Sequence, residues 1–470
     1  MWITSSAVIF PLKRGVILSM TRLTGLLLIL VFLPVTAFGL SSTSSASSTS
    51  FTTFTTFTEF TSRLRLELPL AEGVVYQQID LTPTNRSAGM SQRVHLLDVH
   101  PDNNPYLRVS NILGAGKIHD NLTMTSAMVK TSLNTLPGAF LGAVNGDFFD
   151  EGNGGPVGCN MEDGEWLTLG EFHNGWAVGF TRDARMIVGR PNPALTLSVQ
   201  RGGMLILDNV PVSALNAPRL DRAEKSIPMN VVEERKDNSL VLYTPRYDTG
   251  TFTSGGADFL IETSGTVRTH QTVTGVIKDA FGAGGRAENT NRKGLPLGNG
   301  TMVLSALGEA AEKLSFLQPG DRVYITCHAD PVFDEASVIS GGGRPDYGPL
   351  LLLDGKKADI AQVQELDARK EYFYSHHART IAARRADGSW FFLVIEGYRS
   401  GSYGMQLDWA QTLLLDLGAQ DAVNLDGGPS ATMVTPSQLS GQPFTRSDNS
   451  GGRRTETRVG NALILTEEAH

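Results

Sequence analysis

The stretch WFFLVIEGYRSGSYGMQLDWAQTLLLDLGAQDAVNLDGGPS, Trp390 to Ser430, decides the reading of the fold. Trp390–Ile395 is an unbroken apolar run, the pattern of a strand buried on both faces, and it stops at Glu396-Gly397. Leu407, Ala410, Leu413, Leu414 and Leu417 then repeat with helical spacing, and Gly418 supplies a C-terminal stop. Ala422–Leu425 is a second apolar strand, closed by Asp426-Gly427-Gly428. Strand, helix, strand reads as a βαβ unit with two parallel strands and a right-handed crossover. Glu396 and Asp426 would then both leave the sheet at the carboxyl edge, where open α/β sheets bind ligands.

The residues around that edge have the chemistry of a site. Glycines after Asp426 permit positive φ and close approach of a ligand to the backbone. Asn424, Gly427, Gly428 and Ser430 add an amide, open backbone and a hydroxyl suited to holding an anionic or hydroxylated substrate. Upstream, His376-His377-Ala378-Arg379-Thr380 leads into the strand Ile381–Ala383. Arg379 is suited to bidentate pairing with phosphate or carboxylate, and His377 to proton transfer. Asn145, in Asn145-Gly146-Asp147-Phe148-Phe149-Asp150, ends another short strand, where its amide can bind a hydroxyl or cap a turn. Each of these features also has a purely structural explanation, and Asp-Gly turns are common.

Further out, residues 72–189 and 336–470 read as two parts of a catalytic domain. They are separated by a strand-rich middle segment, 190–335, with Gly203–Leu207, Leu240–Tyr243 and Val323–Cys327 as clear strands. The fold class is therefore α/β (α+β): a mixed central sheet with flanking helices and a strand-rich inserted subdomain. Residues 40–71 are rich in Ser and Thr, with Phe-Thr-Thr triplets, and read as a linker. Residues 1–39 read as a signal peptide. Arg22 precedes the apolar run Leu26–Leu33, and Ala37-Phe38-Gly39 offers a cleavage site, with Met20 as an alternative start. That run is shorter than the roughly 20 residues that span a bilayer, so the expectation is a secreted or periplasmic protein without stable membrane insertion after cleavage.

Composition narrows the partners. A formal charge of −8 argues against general affinity for nucleic acid or anionic membrane. Cys159 and Cys327 are the only cysteines; they could close one long disulfide loop, and neither sits in a CxxC pair. HExxH is absent, and no His cluster announces zinc, so no metal ligand set is assigned and no cofactor is expected. A divalent cation beside Asp426 is left open. Ser340-Gly341-Gly342-Gly343-Arg344-Pro345 is glycine-rich but lacks the P-loop pattern, and no GxSxG nucleophile elbow occurs.

These pieces, in this order, resemble the phosphodiester glycosidase family in its longer bacterial form. The resemblance rests on Asn145-Gly146 with Phe148-Phe149, Pro156-Val157-Gly158, and the Ser340–Pro345 loop. It continues through Arg379-Thr380, Glu396-Gly397, Ser402 with Gly404, Asn424–Ser430, and Arg458-Val459-Gly460-Asn461-Ala462-Leu463. Glu396 stands where that pattern usually has Asp, and Pro429 where a third Gly is common. The resemblance implies hydrolysis of a sugar-1-phosphodiester at the anomeric carbon, releasing sugar and a phosphomonoester. Asp426 and Glu396 would then be the acidic pair and Arg379 the cation facing phosphate. Asn145, Asn424, Gly427, Gly428, Ser430, His377 and Ser402 would contact a glycosyl phosphodiester or polysaccharide. Two other readings compete with it: a non-catalytic polysaccharide-binding envelope protein, and a phosphodiesterase that cuts the P–O bond.

Overall fold

The computed structural model describes residues 57–84, 90–170, 175–217, 238–283, 286–289, 293–341, 350–360, 374–447, 449 and 456–469. The signal-peptide reading of residues 1–39, the linker up to residue 56 and positions 342–345 of the glycine loop lie outside these residues.

Strands dominate. An eight-stranded sheet runs in the order Phe60–Ala71, Val74–Pro83, Gln92–Val99, Trp390–Ile395, Arg379–Arg385, Ala419–Asn424, Leu350–Leu353, Lys356–Lys357, every pair antiparallel. Its first strand corrects the linker reading, because Phe60–Ala71 is an edge strand hairpinned onto Val74–Pro83. Leu64, Leu66, Leu68 and Leu70 alternate with Arg65, Glu67 and Pro69 there, which is strand periodicity. Gly73, at φ +70, makes the turn, and a Cβ on it would meet the His100 carbonyl at 2.7 Å.

The α/β expectation is overturned. Among the described residues the α-helices are Thr125–Ser132, Glu309–Leu314 and Leu407–Asp416, against four sheets of five or eight strands and one two-stranded ribbon. The strand–helix–strand unit exists, but Trp390–Ile395 and Ala419–Asn424 are not neighbours. Arg379–Arg385 lies between them and pairs antiparallel with both, Ile395 opposite Arg379 and Asn424 opposite Ile381. Consecutive strands are adjacent in most but not all folds, and here an earlier strand, buried along Arg379–Ala383, takes the central place. Being antiparallel to the same strand, the two flanking strands still run in one direction. Glu396 and Asp426 therefore do leave from the same edge.

Helix Leu407–Asp416 buries Leu407, Ala410, Leu413 and Leu414 against Ile381, Leu393, Ile395 and Ala422 on one face of this sheet. Each fully buried leucine contributes roughly 1.5–3 kcal/mol. Gly418, at φ +80, ends the helix, its amide donating to the Leu415 carbonyl at 2.9 Å. On the other face, Leu97, Phe392, Val394 and Leu425 pack on Phe180, Val338, Met433 and Leu463 from two five-stranded sheets. One runs Met186–Gly189, Ala177–Thr181, Ala336–Gly341, Cys159–Glu162, Glu165–Leu169; the other runs Pro443–Thr445, Met433–Pro436, Ala139–Asn145, Asn461–Glu467, Leu107–Leu113.

Residues 194–328 supply a further eight-stranded sheet, from Ala194–Arg201 to Arg322–His328. Its core is continuous with the rest, since Leu197, Phe259 and Ile325 share one apolar cluster with Met161, Trp166 and Ile339. Residues 52–470 form one compact unit. Cys159 and Cys327 are buried free thiols in that cluster.

Candidate active site

The acidic turn is anchored from several sides. Past the end of Ala419–Asn424, the Leu425 amide donates to the Thr380 carbonyl (2.8 Å) and the Gly428 amide to Ala378 (2.8 Å). The Asp426 amide donates to the Gly146 carbonyl at 3.1 Å. Asn145 Nδ2 donates to the Asp426 carbonyl (2.7 Å), while its Oδ1 accepts from Thr380 Oγ1 (2.8 Å) and the Thr432 amide (3.0 Å). Asn145 is thus a fastener joining three segments, where sequence suggested a substrate contact. Asn424 likewise turns Nδ2 to the Leu425 carbonyl at 3.0 Å.

These bonds hold Asp426 where the charge of Asp147, a carboxyl the sequence reading passed over, acts on it. Asp147 Oδ2 accepts from the Gly158 amide (2.6 Å) and Asn160 Nδ2 (2.9 Å), and its own amide donates to Asn461 Oδ1 (2.8 Å). Asn461 Nδ2 reaches Asn111 Oδ1, Asn160 Oδ1 and Ser340 Oγ at 2.8–3.1 Å, closing a buried polar network beneath the pair. Burial pushes both Asp147 and Asp426 up to about 7. Hydrogen bonds from Asn160 and the Gly158 amide oppose this at Asp147, those from Ser430 and the Gly427 amide oppose it at Asp426, and the charges of Asp147 and Glu151 push Asp426 further up. Asp426 is only half-buried as a residue, yet its Oδ2 is enclosed. Among the described residues, that oxygen and Asp147 Oδ1 have no hydrogen-bond partner. Near neutral pH such a pair keeps protons that ordinary carboxyls lose.

Glu396 has the opposite surroundings. Its Oε1 lies 2.9 Å from His95 Nε2, and its Oε2 lies 3.2 Å from Arg399 Nη1. Both neighbours present nitrogen donors to the carboxyl oxygens. The Glu396 amide donates to the Arg93 carbonyl (2.9 Å), and Ser402 Oγ donates to the Glu396 carbonyl (2.9 Å). Ser402 is therefore a buried clasp behind the acid. Asn449 ties the two acidic turns together: its Oδ1 accepts from the Gly397 amide (2.7 Å) and its Nδ2 donates to the Ala431 carbonyl (2.5 Å).

Arg379 and the amides after Asp426 both have main-chain partners. Arg379 is fully buried and donates Nε to the Met405 carbonyl (2.9 Å) and Nη2 to the Ser375 carbonyl (3.1 Å). It braces the loops, whereas Arg399, with 36% of its side chain exposed, is the cation beside Glu396. The amides after Asp426 do not form an open anion cradle either. Those of Gly428, Ser430 and Ala431 are engaged by the carbonyls of Ala378, Gly427 and Gly428.

His377 Nδ1 lies 2.7 Å from the Tyr398 hydroxyl. Tyr398 has φ +59, rare for an aromatic residue, and a Cβ placed on Gly428 would meet its hydroxyl at 3.3 Å. His377, Tyr398 and Gly428 are thus together. Asp147, His95, Tyr398 and Asn449 were missed in the sequence. A lone histidine inside the apolar strand Gln92–Val99 was the one visible signal. Among the described residues no group of three or more His, Cys, Asp or Glu is arranged as a metal site.

Residues 271–466 match the family described as phosphodiester glycosidase, and over that span the resemblance is shown. Among solved structures the chain is similar to a protein of Synechocystis (TM-score 0.59, 16% identity, 86% of this chain covered). It spans 63% of that protein, less than two thirds of its length. It is also similar to a Burkholderia pseudomallei protein provisionally described as exported (TM-score 0.59, 19% identity, 87% of this chain and 97% of that one). A third similar structure is the catalytic domain of zebrafish N-acetylglucosamine-1-phosphodiester alpha-N-acetylglucosaminidase, auto-inhibited by its pro-peptide (TM-score 0.43, 15% identity, 87% and 89% covered). No curated protein matches the sequence.

Proposed function

We propose that this protein is an exported glycosidase that hydrolyses sugar-1-phosphodiesters at the anomeric carbon, releasing a sugar and a phosphomonoester. The observation that carries the reading is the contrast between two acidic environments on one sheet edge. Asp426 is enclosed and retains a proton towards neutrality, while Glu396 faces nitrogen donors. A carboxyl that keeps its proton, set on the same edge as a carboxyl that faces nitrogen donors, is an arrangement suited to acid and base roles. The strands they leave are two spacings apart, roughly 9–10 Å of main chain, which gives a sugar ring room to lie across them.

In this reading the protonated Asp426 lies on the phosphate side, where a neutral acid does not repel an anionic diester and can donate to the departing oxygen. Arg399, 3.2 Å from Glu396, offsets the charge of that carboxylate. Glu396 lies on the sugar side as the carboxylate that attacks the anomeric carbon or activates water while the oxocarbenium-like state forms. Export is supported by the apolar run Leu26–Leu33 with Ala37-Phe38-Gly39, and by the description of the Burkholderia protein. Among the described residues, no helix is long and apolar enough to cross a membrane.

The test is a panel of sugar-1-phosphodiesters hydrolysed in oxygen-18 water. The expected result is label in the released sugar. Label in the phosphate would show P–O cleavage, and an absence of turnover across the panel would favour a binding protein.

A further inference from the structure

Behind Glu396 lies a buried chain of polar groups that the reaction outlined above does not use. Tyr76, on Val74–Pro83, places its hydroxyl 2.8 Å from His95 Nδ1, and His95, on Gln92–Val99, places Nε2 2.9 Å from Glu396 Oε1. The three residues come from three adjacent strands. His95 pairs with Gln78 on one side and Val394 on the other, so it stands between Tyr76 and Glu396. Tyr76, His95 and Glu396 have at most 1% of their surface exposed.

Chemistry sets the direction of the chain. Burial pushes the Tyr76 phenol far up, so it keeps its proton and has one hydrogen to donate. Burial pushes His95 down, against the pull of Glu396, which leaves a neutral ring. A neutral imidazole has one donor and one acceptor nitrogen. With the Tyr76 O–H donating to Nδ1, the proton of His95 must sit on Nε2, and Nε2–H donates to Glu396.

We propose that His95 and Tyr76 are positioning residues that fix Glu396 in one orientation as a hydrogen-bond-accepting carboxylate aimed at the anomeric carbon. The inference rests on the glycosidase reading of Glu396. Its main chain is already pinned through the Arg93 carbonyl and Ser402, so the freedom left is that of the side chain. His95 holds one oxygen and Arg399 faces the other. The remaining charged neighbours are Arg93, which pairs with Asp80 at 2.9 Å, and Arg446, whose guanidinium lies 5.2 Å from the centre of the Tyr76 ring. The neutral tautomer suits this role, because a donor that stays uncharged orients the carboxylate without drawing off its proton affinity as an imidazolium would.

The experiment compares Tyr76→Phe, His95→Gln and His95→Leu with wild type on a sugar-1-phosphodiester that wild type hydrolyses. His95→Leu should lower kcat on the order of 100-fold with KM changed less than about two-fold, and Tyr76→Phe on the order of ten-fold. The acid limb of kcat/KM should move to higher pH in both. Gln retains an amide N–H in place of Nε2–H and should restore much of the loss. A folded His95→Leu with wild-type kcat and pH profile would overturn the proposal. If that variant does not fold, a wild-type profile in Tyr76→Phe would overturn it. Nitrogen-15 shifts of the His95 ring, read in the wild-type protein, need no substrate. An Nε2–H tautomer at neutral pH is expected, and an Nδ1–H tautomer or an imidazolium would refute the chain. Should wild type hydrolyse no sugar-1-phosphodiester, the glycosidase reading falls, and the ring tautomer still decides the chain.

Discussion

Asn145 donates its side-chain amide to the main-chain carbonyl of Asp426 at 2.7 Å, so the acidic turn of one sheet is held by the strand end of another. The same side chain satisfies the Thr380 hydroxyl and the Thr432 amide. Replacing it with Ala leaves three buried groups without partners, each costing about 1–3 kcal/mol. Asn145→Ala should therefore lose at least about 3 kcal/mol in urea unfolding and most of its activity. A loss below about 1 kcal/mol would show that the carbonyl of Asp426 needs no such anchor.

Asp147 and Asp426 make stability depend on pH in a stated direction. Their folded-state values are raised from 3.8 to about 7, so between these limits the folded protein binds protons that the unfolded chain has released. Stability should fall as pH rises through this window and level off above it. Asp426→Asn removes one buried charge without changing shape. Its melting temperature should exceed that of wild type near pH 8 and approach it near pH 4. The same variant should lose on the order of 100-fold or more in kcat, as expected when a proton donor is removed. Calorimetry at the two pH values and a rate assay check both parts.

Gly428 occupies the left-handed region at φ +60 beneath the Tyr398 hydroxyl. Gly428→Ala should cost about 1–2 kcal/mol for the backbone. The crowding against the hydroxyl is a separate term, and Tyr398→Phe should relieve it. The double variant should then be less impaired in kcat/KM than the sum of the single effects, which a double-mutant cycle measures.

Leu414 lies in the apolar cluster between helix Leu407–Asp416 and the first sheet. Leu414→Ala should cost about 2–5 kcal/mol. Because the helix spans the connection between the strands ending at Glu396 and Asp426, activity should fall at temperatures well below the melting point of wild type. A coincident loss of activity and of fold, followed by circular dichroism during heating, would instead mean that the helix and the site unfold as one.

Burial raises both thiols, Cys327 to about 12 and Cys159 higher still. Neither should react with a thiol reagent in the native protein, and both should react in denaturant. Prompt labelling of either in buffer would contradict the packing around Met161, Trp166 and Ile325.

The acidic edge was legible in the sequence because local signals define it: an apolar run, a helical stripe with Gly418 as its stop, and a second apolar run. What local signals do not encode is which strands pair. Arg379–Arg385 looks no more central than its neighbours, yet it separates the two site strands, and the expected parallel unit becomes part of an antiparallel sheet. The shared direction survived that error because the same intervening strand reverses both neighbours. Arg379 resembles a phosphate ligand by residue type, and only the fold shows its bonds to the Met405 and Ser375 carbonyls. His95 and Tyr76 become meaningful through register alone, and Asp147 through a network assembled from four strands.

One consequence concerns the order in which the chain is made. Asp147 is oriented by Asn461, a residue 314 positions later in the sequence. The strand that starts there, Asn461–Glu467, also lies between Ala139–Asn145 and Leu107–Leu113. A ribosome that has released Asp147, Glu396 and Asp426 has therefore supplied every acid of the site while the strand that orients the first of them is still unmade. Chains clipped before Asn461 should contain all the acids and hydrolyse nothing, because the strand that orients Asp147 is missing.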